Sequence, residues 1–149
     1  MTKVPHLSVA EWERSIGPGI TGDPLWSVQA YRLSLYAVYC HTTDRRVAAG
    51  MRSAAALNQL TRAPGSITAN ISEGYSRSSA KDRSLFYSYA LGSTREAIGW
   101  YDTLRHELDS AVDERQSVLI QIRRLLLTTL RRARAEDPTE MMRDSKRAD

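Results

Sequence analysis

The chain has 149 residues, 42% of them hydrophobic and 26% charged, with a formal net charge of +4. That length favours one domain with a sizeable core, and no apolar run approaches the ~20 residues needed to span a bilayer. A single cysteine, Cys40, excludes an intramolecular disulfide and a thiolate zinc cluster, and His6, His41 and His106 are too scattered for a metal site.

The opening MTKVPHLSVAEWERS lacks an apolar signal core and carries Glu11 and Glu13, so a cytoplasmic protein is expected. Residues 1–22 read as an extension ahead of the main domain. Within them Ser8 and Glu11 form a capping box, with Leu7 and Trp12 as a hydrophobic staple, which predicts a helix over roughly 9–15. The GPGITGDP stretch that follows reads as a loop.

Asp23-Pro24 opens the first long helix. Trp26, Ala30, Leu33, Ala37 and Cys40 form one apolar stripe, and Val28, Tyr31, Leu35 and Val38 form a second. Two stripes predict a helix covered around most of its circumference, by neighbouring subunits as well as by its own chain. Cys40 lies in the first stripe and reads as a small core residue. His41-Thr42-Thr43-Asp44 reads as a short turn, and the next helix runs from about Asp44 to Ile71. Pro64-Gly65 should interrupt it with a kink near residues 61–65. Gly74 should end it as a left-handed cap.

Ser79 with Asp82 starts a third helix, whose apolar stripe runs from Phe86 through Ala90 and Ala97 to Leu104 and Leu108. Gly92 and Gly99 sit inside it, where glycine usually marks the close approach of another backbone. The fourth helix covers roughly 113–135, with Val118, Ile122, Leu125 and Thr129 as one stripe and Leu119, Leu126 and Leu130 beside it. Residues 137–149 read as a flexible tail. Four long helices joined by short turns, without any strand pattern, predict an all-α, antiparallel up-and-down four-helix bundle over residues 23–136.

No Gly-rich phosphate loop, HExxH pair, nucleophile elbow or paired-carboxylate arrangement is present. Glu73 and Glu96 lack the Glu-x-x-His partners of a di-iron bundle. A non-enzymatic protein without cofactor or metal is expected.

Charge placement says more. Residues 45–95 hold eight basic residues against Glu73 and Asp82. Residues 96–114 hold six acids against Arg105, and residues 115–134 hold six arginines and no acid. Such blocks fit a basic face for phosphates, beside an acidic segment able to meet it across a subunit boundary. The plainer alternative is a set of solvated helix faces. The basic residues assigned to nucleic-acid binding are Arg45, Arg46, Arg52, Arg77, Lys81, Arg83, Arg123, Arg124, Arg131 and Arg132. Tyr75 and Tyr87 lie near Arg77, Lys81 and Arg83, a mixture able to bind single-stranded nucleic acid, although such tyrosines are more often half-buried helix residues.

Arg62, Ser66, Asn70 and Glu73 form one polar stripe on an otherwise apolar helix. Asn70 and Glu73 are read as satisfying each other, or capping nearby backbone, in preference to binding a ligand.

Gln59-Leu60-x-Arg62-Ala63, then Ser66-Ile67-x-x-Asn70-Ile71-x-Glu73-Gly74-x-x-Arg77, then Phe86 and Ala90-Leu91-Gly92-Ser93 with Glu96, resembles the family of 23S rRNA intervening-sequence proteins. Its relatives include the accessory variability determinant proteins of diversity-generating retroelements. The resemblance covers about residues 24–134 and departs at Pro64-Gly65, Ser72 and Arg95. It implies a small bacterial bundle without a known active site, assembled as a ring-like homopentamer, with Gln59, Arg62, Ser66, Asn70, Glu73, Gly74, Gly92, Ser93 and Glu96 as structural motif positions. In the retroelement branch the basic ring meets a reverse transcriptase and nucleic acid, but this chain matches the intervening-sequence branch better. The resulting expectation is an oligomer that binds RNA, DNA or a nucleic-acid-handling partner. The alternative is a structural protein-interaction module.

Overall fold

Local capping chemistry starts the first element. The Ser8 side chain accepts from the Glu11 N–H, and the Glu11 carboxylate accepts from the Ser8 N–H at 2.8 Å, so α1 (Val9–Ser15) begins on a complete capping box. The Ser8 hydroxyl, which also donates to that carboxylate at 2.7 Å, and then the Ser8 N–H hold the Glu11 carboxyl below its usual pKa. The expected staple does not form: Leu7 stays exposed, and Trp12 turns into an aromatic cluster.

The computed structural model describes residues 6–48, 54–109 and 111–136, without the side chains of residues 46–48 and 54–57. After α1 come α2 (Pro18–Thr21) and a 3-10 turn at Pro24–Ser27, both within or beside the expected loop. Asp23 caps the turn, its carboxylate accepting from the Leu25 N–H at 2.8 Å. The long helices are α3 (Gln29–Ala48), α4 (Ala54–Ser76), α5 (Ala80–Thr103) and α7 (Ala111–Ala135), with the single turn α6 (Arg105–Leu108) between the last two. Among the described residues every regular element is helical.

Helix α3 packs on α4 and on α7, and α5 packs on the same two. Thr68 donates to Ser34 Oγ at 2.9 Å, while His41 Nε2 lies 3.3 Å from Thr61 Oγ1. These pairs occur in opposite order along α3 and α4, so the two helices run in opposite directions. Between α4 and α5, Ser66 meets Ser93 at 2.9 Å and Gly74 lies against Phe86 and Tyr87, again in opposite order. Asp23-Pro24 opens the 3-10 turn rather than α3, so Trp26 and Val28 lie before the long helix and are half-buried. On α3, Ala30, Leu33, Ala37 and Cys40 of the first predicted stripe are buried, whereas Tyr31, Leu35 and Val38 are half-buried. On α7 the core takes Leu119, Ile122, Leu126 and Leu130, and Thr129 is exposed.

Several expectations are corrected. The chain does not turn at His41–Asp44. Helix α3 continues to Ala48, because the Asp44 carboxylate is engaged inside the protein rather than capping a new helix. Helix α4 is continuous through Pro64, which is fully buried within it. Gly74 is no left-handed cap: no described glycine has a positive φ, and the helix runs on to Ser76. The third helix breaks at Leu104, and Asp109 takes a φ of 46° before α7. Gly92 and Gly99 are exposed, with nothing among the described residues within 4 Å of an added Cβ. The predicted tail beyond residue 136 lies outside the described residues.

Gly74 is instead where two helices approach closely. A Cβ there would lie 2.9 Å from Tyr87 Cε1 and 3.1 Å from Phe86 Cβ. Alanine gains ~1 kcal/mol of helix propensity over glycine, but overpacking costs about 1–3 kcal/mol, and here the clash meets a ring rather than a flexible tip. Gly74→Ala should therefore lower stability by about 1 kcal/mol, and Gly74→Val by more, in urea unfolding followed by circular dichroism. Equal or raised stability for Gly74→Ala would show that α5 can retreat without cost.

Candidate functional site

Two charged residues occupy core-stripe positions. Asp44 continues Leu33, Ala37 and Cys40 at helical spacing, and Arg115 precedes Leu119, Ile122 and Leu126 in the same way. Their side chains are 2% and 5% exposed. Arg115 Nε donates to Asp44 Oδ2 at 2.9 Å and Nη2 donates to Oδ1 at 3.1 Å, a bidentate pair joining α7 to α3. The Tyr101 hydroxyl of α5 donates to the same Oδ2 at 3.0 Å. Burial opposes the Arg115 charge, but the hydrogen bonds and charge of Asp44 outweigh it and hold the guanidinium above its usual pKa. Burial, then the Asp44 charge, raises the Tyr101 phenol well above its ordinary value, so it remains a donor.

A cavity of about 10 Å³ adjoins this pair, lined by residues that include Cys40, Tyr101 and Arg115. It has room for about one water. Burial pushes the Cys40 thiol up to about 11, which keeps it protonated and supports its reading as a core cysteine. This is a tie between helices, and it lacks an activated nucleophile. Among the described residues no group of His, Cys, Asp and Glu could hold a metal ion, and no helix is long and apolar enough to cross a membrane.

The N-terminal segment closes over the pair from outside. Trp12 is 5% exposed and packs with Tyr36 and Tyr39 of α3, at ring-centroid distances of 5.5 and 6.4 Å. Glu13 accepts from Arg32 Nε at 3.1 Å. The segment read as an extension is therefore docked on α3.

The expected nucleic-acid residues are mostly on the surface, in different surroundings. Arg45 is exposed on α3; the Arg46 side chain and the whole of Arg52 lie outside the description. At the α4–α5 turn Arg77 is paired with Glu73, and its guanidinium lies 4.8 Å from the Phe86 ring centroid. Lys81 is exposed. Arg83 is half-buried and donates to the carbonyls of Arg77 and Ser78 at 3.1 and 2.9 Å, which secures the end of α4. On α7, Arg124, Arg131 and Arg132 are exposed and Arg123 is half-buried.

Three of the motif positions, Ser66, Asn70 and Ser93, form a polar row along the α4–α5 seam. Asn70 Nδ2 donates to the Ser66 carbonyl at 2.9 Å and to Ser66 Oγ at 3.2 Å, and Ser66 meets Ser93. Asn70 and Glu73 do not satisfy each other, because Glu73 is exposed and takes Arg77. Glu96 is exposed and accepts from Trp100 Nε1 at 3.3 Å. Arg62 is exposed and Gln59 half-buried. Tyr101, Asp44 and Arg115 escaped the sequence reading, although the latter two broke otherwise apolar stripes.

Among the described residues the protein is thus all-helical, with α3, α5 and α7 tied through the buried Asp44–Arg115 pair and the Tyr101 hydroxyl. Residues 38–126, more than half of the chain, match the family model described as 23S rRNA-intervening sequence protein, and the chain belongs to that family. No curated protein and no solved structure matches it. The matched stretch contains Asp44, Tyr101 and Arg115 and excludes the docked N-terminal segment.

Removing one partner of a buried pair leaves the other charge uncompensated, at about 3–5 kcal/mol. Asp44→Ala should cost that much in chemical unfolding. The double replacement Asp44→Leu with Arg115→Met should recover most of the loss, since an apolar pair leaves no unpaired charge. A cost below about 1 kcal/mol for Asp44→Ala would mean that water reaches Arg115.

Proposed function

We propose that the chain is an antiparallel up-and-down four-helix bundle that self-associates and binds nucleic acid, RNA foremost, through arginine-rich surfaces, without catalysing a reaction. The single observation carrying this reading is the exposed arginine strip of α7. Arg124, Arg131 and Arg132 are open to solvent, and among the described residues no carboxylate pairs with them. The contact of Gln116 Nε2 with the Ile98 carbonyl at 3.1 Å sets the register of α7 against α5. Carried along the two helices in opposite directions, that register brings Arg131 and Arg132 level with the α4–α5 turn, where Lys81 is exposed. Membership of a family named for 23S rRNA intervening sequences supports RNA over other polyanions.

Self-association is supported by the outer face of α5. Leu85 and Tyr89 are 47% and 51% exposed there, and Gly92 and Gly99 continue the same stripe with open space above them. A second copy laid along this stripe would cover two large apolar groups and use both glycines for close approach. A ring-like homopentamer, as the family resemblance implies, would repeat the basic strip once per subunit, so weak contacts would add. A nucleic-acid-handling protein such as a reverse transcriptase would meet the same surface. The second reading, a protein-interaction module that does not touch nucleic acid, draws on the same Leu85–Tyr89 patch.

Salt separates the readings, because phosphate contacts release counterions and apolar contacts do not. Wild-type protein should bind labelled RNA in low salt, with affinity falling linearly on a log–log plot against salt. Arg124→Glu with Arg131→Glu should weaken binding at least tenfold and reduce the slope by about two per subunit in contact. The melting temperature should hardly move, since exposed charges contribute little to stability. A wild-type protein that binds neither single-stranded nor structured RNA or DNA in low salt would put the interaction module first. A light-scattering mass near 16.7 kDa throughout the micromolar range would remove self-association.

A further inference from the structure

The N-terminal segment carries an imidazole into the buried ion pair. The His6 side chain is 9% exposed, and Nε2 lies 3.3 Å from Asp44 Oδ1. Neither ring nitrogen has a hydrogen-bond partner in good geometry, and both are buried. The ring also meets Tyr39 of α3 edge-on at 6.1 Å. The next residue is held on both sides of its peptide: the Leu7 N–H donates to the Tyr39 hydroxyl at 3.3 Å, and the Tyr36 hydroxyl donates to the Leu7 carbonyl at 2.8 Å. Trp12, 5% exposed, completes the closure.

We infer that residues 6–16 form a strap that is latched over the Asp44–Arg115 pair while His6 is neutral and released when His6 is protonated. The reason lies in the charges facing the ring. Asp44 from α3 offers one negative charge, already matched by the bidentate Arg115 of α7 and by the Tyr101 hydroxyl of α5. Glu114 of α7 is largely exposed, lies 3.5 Å from Arg115 Nη1, and adds the smallest of the pulls that favour the His6 charge. A protonated His6 would therefore be a second cation on one carboxylate in a dry site. Burial and then the Arg115 charge accordingly lower the His6 pKa, against the opposing pull of Asp44. A free His6 takes its proton near 6.5, before the docked one does, so docking is favoured above that pH and lost as pH falls through the docked value. Release uncovers Tyr36, Tyr39 and Cys40 beside the ion pair. The strap lies outside the stretch that matches the family, so the latch belongs to this chain's own N-terminal segment.

The full chain labelled with 5-fluorotryptophan gives a direct reading by fluorine NMR. Trp12 reports the strap, Trp26 lies 6.2 Å from its ring and follows it, and Trp100 reports the rest of the fold. Between pH 7.5 and 5.0 the Trp12 resonance should move to a solvent-exposed position, with its midpoint below 6.5 and the Trp100 resonance unchanged. For one proton the ratio of open to closed strap should change by at most tenfold per pH unit. His6→Gln should remove the dependence, and His6→Phe should keep the strap closed throughout. A Trp12 signal that stays buried to pH 5.0, one that titrates equally in His6→Gln, or one that moves only together with Trp100 would each overturn the latch.

Discussion

The Asp44 carboxylate imposes the strictest geometric demand in this protein. Withdrawn from water, it must be matched by donors at fixed positions, and those donors come from α5 and α7. A bidentate guanidinium–carboxylate contact tolerates little rotation or sliding, so one residue on α3 sets the height and facing of two other helices. Apolar residues of similar volume would pack there with comparable or greater stability, but through many registers. The pair therefore contributes register more than net free energy. The strap then depends on it in turn, because His6 docks against a carboxylate whose charge is already spent.

The surfaces follow from that register. With α3, α5 and α7 held, α4 meets α5 along a seam where Gly74 gives room to Tyr87 and the Ser66–Ser93 contact closes the polar row. At this seam Ser66, Asn70 and Ser93 satisfy one another and the Ser66 carbonyl. Exposed arginine lies on the outer strip of α7, at the α4–α5 turn and, singly, at Arg45, Arg62 and Arg95. The polyanion reading and the core thus use different arginines: Arg115 is committed inward, and Arg124, Arg131 and Arg132 face water.

Much of the local structure was readable from spacing alone. The capping box at Ser8, the N-cap at Ser79, the core stripe of α3 and the span of α7 needed only nearest-neighbour chemistry. Where the reading erred, a local signal was outweighed by a contact from elsewhere in the chain. His41-Thr42-Thr43-Asp44 has turn composition, yet Arg115 lies 71 positions from Asp44 and keeps the helix going. Gly74 looked like a helix end because glycine favours left-handed backbone, whereas its missing side chain serves the close approach of α5. Gly92 and Gly99 mark room for another backbone, and among the described residues no element fills it.

What the sequence determined by itself is therefore the set of helices, the faces they bury and the side of α7 that carries arginine, since periodicity and capping act over a turn or two. The tertiary structure alone decided which charges are buried, where the N-terminal segment lies and which glycines give clearance. Those outcomes depend on partners brought together from distant positions. A carboxylate or an imidazole carries no local mark of whether a matching group will arrive in space.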